Sequence, residues 1–161
     1  MKNKLINLAR VQEAEGTISG IFTATLIYAN LVDYLARHLL ENLRKMISIN
    51  SYKQFNAGCY YDPSKRINIS LGIICKELKE GFEFPDKNNF LDLLSKFNKE
   101  RTKIMHNLMQ MDVDINDENN EQLNKLKKDL HEISKMAEEI LTKYIVIAQG
   151  VTNMWTTAHP Q

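Results

Sequence analysis

LNKLKKDLHEISKMAEEILTKYIVIAQGV, residues 123–151, sets an apolar side chain at alternating steps of three and four. Leu123, Leu126, Leu130, Ile133, Ala137, Ile140, Tyr144, Ile147 and Val151 hold that spacing without a miss. This is one face of a long α-helix. A strand would need an apolar residue at every second position. Such a face has to be buried, against neighbouring helices or against a second subunit. The tail after Thr152, with Trp155 and Pro160, reads as frayed.

Upstream lies an acidic, asparagine-rich linker, Asp112 to Asn120, with Asn116 or Asp117 as helix cap. Before it, Phe90, Leu94, Phe97, Ile104, Leu108 and Met111 form a second helical stripe from a predicted N-cap at Asp86. Ser70 opens a short helix through Leu78, and Gly81 is expected to end it in the left-handed C′ role. Residues 49–69 hold Gly58 and the turn-like Asp62-Pro63-Ser64-Lys65. They read equally as a surface loop or as a two-strand ribbon pairing Tyr60-Tyr61 with Arg66-Ile67.

A long helix is expected from a cap at Thr17 or Ser19 to about Ile47. Ile18, Phe22, Ala29, Val32, Ala36, Leu39, Leu43 and Met46 supply its apolar positions. A first helix covers roughly Lys4 to Glu15, with Leu5, Leu8 and Val11 or Ala14 inward, and Gly16 ends it. Apart from the middle segment, the connections are short. Short connections make neighbours antiparallel, so the expected fold is all-α, an up-and-down bundle of four to five helices in one domain.

The 161 residues are 43% apolar and 25% charged, with a formal net charge of +1. Those values suit one globular core. Bulk charge does not mark a nucleic-acid binder, so any such site would be a local patch. Cys59 and Cys75 match neither a disulfide framework nor a zinc site. They read as reduced thiols, Cys75 in the core. No apolar run reaches membrane-spanning length, and no signal or lipidation motif is read at the N-terminus. The expected location is the cytoplasm. Asp112-Val113-Asp114-Ile115-Asn116 begins like a calcium loop, yet Asp117 stands where glycine is needed and Leu123 where glutamate is needed. No metal or cofactor is expected. No Ser-His-Asp set, Walker loop, Rossmann glycine pattern or HExxH run is present.

The second stripe is broken once, by Arg101, with His106 five residues on. A permanent cation on an apolar face is costly unless an anion meets it. Asn98, Thr102 and His106 lie four apart and line a polar stripe beside it. Lys96, Lys99 and Lys103 add positive charge against Glu100 alone. A guanidinium fork fits two phosphate oxygens, and an imidazole exchanges a proton near neutral pH. RNA carries its own 2′-hydroxyl nucleophile, so these two groups suffice in principle to cut it without a metal ion. One regular helix opposes this, because residues five apart diverge by about 140°. Two copies meeting at a two-fold axis would relieve the conflict. The bland alternative is an arginine neutralised by a carboxylate of the long helix, Asp33 or Glu41, with His106 merely on the surface. A second pair, Arg37-His38, reads as a helix surface where Asp33 meets Arg37, although His38 could line a cleft.

Glu100-Arg101-Thr102-Lys103-Ile104-Met105-His106-Asn107 resembles the signature of HEPN domains, an arginine and a histidine separated by four to six residues. The element order is also similar: a long early helix, an irregular middle, a motif helix and a final long helix. The resemblance implies a metal-independent endoribonuclease acting as a homodimer on RNA, as in toxin–antitoxin or phage-defence systems, with an antitoxin protein as possible partner. It implies that Arg101 holds the scissile phosphate and His106 acts as acid and base. Thr102, Asn98, Lys99, Lys103 and Asn107 would contact the substrate. The position after the arginine is commonly Asn, Asp or His in that family, and here it is Thr102. Some members serve as non-catalytic modules. The alternative expectation is therefore a helical dimer that binds a partner protein or a nucleotide.

Overall fold

Gly16 takes a positive φ of 68° and turns the chain back between its first two helices. That left-handed backbone is one that side chains other than glycine adopt reluctantly. The computed structural model describes residues 2–55, 69–110 and 121–158. It contains α1 (Lys2–Ala14), α2 (Ile18–Phe55), α3 (Leu71–Gly81), α4 (Lys87–Gln110) and α5 (Glu121–Ala158). The fold is an all-α helical bundle, and among the described residues there is no strand. The choice between loop and ribbon for Tyr60-Tyr61 and Arg66-Ile67 lies outside the described residues, as do the linker caps Asn116 and Asp117, Met111 and Cys59.

All nine apolar positions read from residues 123–151 are buried, as are Phe90, Leu94, Phe97 and Ile104 of α4. Burying a side chain of that size contributes about 1.5–3 kcal/mol each before chain entropy is counted. Side-chain contacts set the directions. Thr25 meets Ser134, Tyr28 meets Glu138 and His38 meets Tyr144, so α2 and α5 run parallel, side by side. Arg101 reaches back to Asp33, and Lys143 to Asp86, so α4 runs antiparallel to both. α1 is antiparallel to α5 through Arg10–Glu138 and Glu13–His131. α3 runs the same way as α2, since Arg37 meets the Ile69 carbonyl and Arg44 meets Glu77 farther along both helices, so consecutive helices do not all alternate. The two longest helices lie together because they hold the two longest apolar faces.

Several local expectations are corrected. Leu8 is 48% and Val11 60% exposed, so α1 does not face inward through them. Leu5 packs against the core as read, and Ala9 and Ile6 join it there. The reason is close approach: a Cβ built on Gly20 would stand 2.4 Å from the Gln12 carbonyl oxygen. Backbones that near leave room for the small Ala9 rather than for a leucine ridge. Gly20→Ala is therefore expected to push α1 outward. The overpacking costs about 1–3 kcal/mol, against a gain of at most about 1 kcal/mol in helix propensity. A thermal melt checks this, and an unchanged or raised Tm would show that the two backbones are not in contact.

Thr17 caps α2 as read, its Oγ1 accepting from Gly20 N at 3.0 Å. The helix does not stop near Ile47 but continues to Phe55. Gly81 does not take the left-handed role, since it is the last helical residue of α3 and Phe82 follows in extended conformation. α5 runs through Ala158, with no break after Thr152. The stretch Ile18–Ser48 is, by length and composition, apolar enough to cross a membrane, contrary to the reading from run length. Half of its most apolar window is buried against other helices, as the central helix of a bundle requires.

Cys75 is only half-buried, yet burial pushes its thiol up to about 11, with the Asp33 carboxylate adding to the effect. Such a thiol is a poor nucleophile, because its thiolate fraction at pH 8 falls about a hundredfold. Iodoacetamide should label Cys75 about a hundredfold more slowly in the folded than in the urea-unfolded chain. Peptide-level mass spectrometry reads the ratio, and equal rates would contradict the burial.

Candidate functional site

The motif helix is anchored before the motif begins. Asp86, at φ 56°, accepts Phe90 N through its carbonyl, and its carboxylate takes the Asn89 amide and the Lys143 ammonium at 2.6 and 2.7 Å. Those two hydrogen bonds, led by the one from Lys143, hold the Asp86 carboxyl below its usual range. Pro85 sits against Gly150, where a Cβ would come within 3.2 Å of its ring. The start of α4 is therefore fixed to α5, and Arg101 lies four turns farther on.

Arg101 meets an anion of its own chain. Its Nη1 donates to Asp33 Oδ2 at 3.1 Å and its Nη2 to Asn98 Oδ1 at 3.2 Å. The guanidinium carbon stands 5.8 Å from the centroid of the buried Phe97 ring. Of the two carboxylates expected as partners, Asp33 is the one used. The pair is only partly shielded, with side chains 25% and 35% exposed, so its net contribution to stability is small. Among the described residues, two of the five guanidinium N–H groups are engaged, by these partners, and three have no hydrogen-bond acceptor. Asp33 Oδ1 is buried without a hydrogen-bond partner among the described residues. Arg37 donates to the Ile69 carbonyl at 3.3 Å, which ties α2 to the start of α3.

Arg101, Thr102 and His106 line one cleft of about 400 Å³. α2 contributes Phe22, Thr25, Leu26, Ala29 and Asn30, and α5 contributes Leu130 and Ile133. Both motif residues thus reach the same space from one helix. Residues that diverge by about 140° flank this space rather than converge on one point. His106 is exposed. Thr102 Oγ1 donates to the Asn98 carbonyl at 2.8 Å, one turn back on its own helix, which leaves its oxygen only as an acceptor.

The remaining candidates divide. Asn98 touches Arg101 but does not line the cleft. Lys99 and Lys103 do not line it either, and Lys103 lies 3.9 Å from Glu100. Asn107 borders a different hollow with Gln110, Lys125 and Asp129. The positive ring read around Arg101 therefore does not enclose this cleft, because Lys99 and Lys103 sit on the far side of α4. Thr25 and Asn30 escaped the sequence reading. Their only signal was polarity within an apolar helix face. Among the described residues no group of three or more His, Cys, Asp or Glu side chains is placed to hold a metal ion.

A second polar cluster lies farther along the α2–α5 seam. His38 Nδ1 is 2.7 Å from Tyr144 Oη and 3.1 Å from Asn42 Nδ2, and Tyr34 stacks near the imidazole with ring centroids 6.0 Å apart. Burial, with a smaller effect from Tyr34, raises the Tyr144 phenol above its ordinary value. No family model matches the chain, and no curated protein or solved structure matches it.

Proposed function

We propose that the chain is a HEPN-like, metal-independent endoribonuclease whose working groups are Arg101 and His106. The observation that carries this reading is that both side chains line one cleft, while the arginine keeps three N–H donors beyond those spent on Asp33 and Asn98. A phosphodiester seated there would accept from those donors, and the guanidinium would offset charge as the 2′-oxygen attacks phosphorus. His106 would take the 2′-hydroxyl proton. The P–O5′ bond then breaks, leaving a 2′,3′-cyclic phosphate and a 5′-hydroxyl whose proton comes from water or from the imidazole of a second copy. The resemblance supports action as a homodimer on RNA within a toxin–antitoxin or phage-defence system, and the cytoplasm is the proposed location.

The test is cleavage of an end-labelled single-stranded RNA in EDTA, beside the same oligonucleotide made as DNA. RNA fragments ending in cyclic phosphate, with DNA intact, are expected. No cleavage by the purified dimer, or equal cleavage of both strands, would overturn the proposal.

A second reading is favoured by two observations: Asp33 neutralises Arg101 within the chain, and Thr102 spends its hydrogen on the backbone. In that reading the cleft belongs to a non-catalytic module that binds a partner protein or a nucleotide. It would bind RNA or a nucleotide without breaking it.

A further inference from the structure

The cleft beside His38 is built differently from the one beside Arg101, and the nuclease reading does not use it. α1 has 13 residues, whereas the two helices it packs against have 38 each. It meets α5 at His131 and Glu138. Beyond those contacts the α2–α5 seam opens into a hollow of about 450 Å³. That volume falls within the range of small-molecule sites.

Its walls are of two kinds. Leu39, Met46, Ala148 and Val151 are apolar. His38, Asn42, Lys45, Tyr144 and Thr152 place hydrogen-bonding groups around them. The imidazole, the Asn42 amide and the Tyr144 phenol are joined by hydrogen bonds, so part of this polar wall is held in place before any ligand arrives. Electrostatics then select the ligand. None of the nine lining residues is acidic, and Lys45 brings a full positive charge. Glu41, one turn before Lys45, makes no ion pair with it, and among the described residues no other carboxylate lies within ion-pair reach of that ammonium. An apolar hollow with one unmatched cation and several neutral polar groups favours a molecule with an anionic head and an apolar body.

We propose that this hollow binds a small amphipathic organic anion, with Lys45 on the acidic head and Leu39, Met46 and Val151 on the apolar body. The site is independent of Arg101 and stands whether or not the chain cuts RNA.

Octanoate and octanol, equal in chain length and different in charge, are the probes. They are titrated into the isotope-labelled full chain, with amide shifts followed by NMR. Octanoate is expected to shift amides of residues 38–46 and 144–152 and to bind about tenfold more tightly than octanol, as a charge-assisted contact requires. Lys45→Met should weaken octanoate about tenfold and leave octanol unchanged. Lys45 is exposed, so its replacement leaves the core intact. Equal binding of the two probes, an unaffected Lys45→Met, shifts centred on Arg101, or no shift up to roughly 5 mM would each overturn the proposal.

Discussion

His106→Ala should slow RNA cleavage by about a hundredfold or more while leaving the melting temperature nearly unchanged. The size follows from what a positioned acid or base contributes, about 10² to 10⁴ in rate. The separation from stability follows from exposure, since His106 lies at the surface of α4 and substitutions at such sites stay within about 0.5 kcal/mol. Arg101→Ala should lose a comparable factor, about 10² to 10³, through the missing stabilisation of phosphoryl charge. It differs in one respect. It also leaves the Asp33 carboxylate without its guanidinium, so some stability goes with it. Arg101→Lys isolates the chemistry: the charge stays, the planar fork is lost, and cleavage should remain far below wild type. Single-turnover rates in EDTA, read beside thermal melts, give both quantities. Wild-type rates from His106→Ala would show that the imidazole only happens to face the cleft.

Phe97→Ala should cost about 3–5 kcal/mol, the largest stability loss expected of any single change near the site. Its ring is fully buried and lies beneath the Arg101 guanidinium. Truncation leaves a void between α4 and its neighbours and removes the surface on which the cation rests. For a chain of this size the loss corresponds to a fall in Tm of roughly 10–15 °C. Phe97→Leu refills most of the volume and should cost roughly 1–2 kcal/mol. Urea unfolding of both variants distinguishes a packed ring from a peripheral one. A cost below about 1 kcal/mol for the alanine variant would mean that Phe97 is not in the core.

The helical architecture was legible because burial follows period. The nine positions from Leu123 to Val151 are buried as a set, and the stripe from Phe90 to Ile104 with them. Capping by Thr17 and the turn at Gly16 were legible too, since each depends on residues within one turn of the chain. α1 was misread where its packing depends on Gly20, a neighbour whose closeness no residue of α1 encodes. The end of α3 was misread because Gly81 permits a left-handed turn without requiring one.

The candidate site divides along the same line. That Arg101 and His106 are the odd residues of an apolar helix is a property of sequence alone. That Asp33 and not Glu41 meets the guanidinium, that the Thr102 hydroxyl turns back to its own helix, and that Lys99, Lys103 and Asn107 lie away from the cleft, all depend on how α4 is rotated against α2. The amino-acid order by itself determined which stretches coil and which faces seek the interior, because periodicity is local and burial rewards it directly. The tertiary structure alone decided which charges meet and which hollows open, because those depend on helix rotation and relative length. Parallel α2 and α5, with a short α1 covering only part of their seam, made the second cleft, and no window of sequence contains that arrangement.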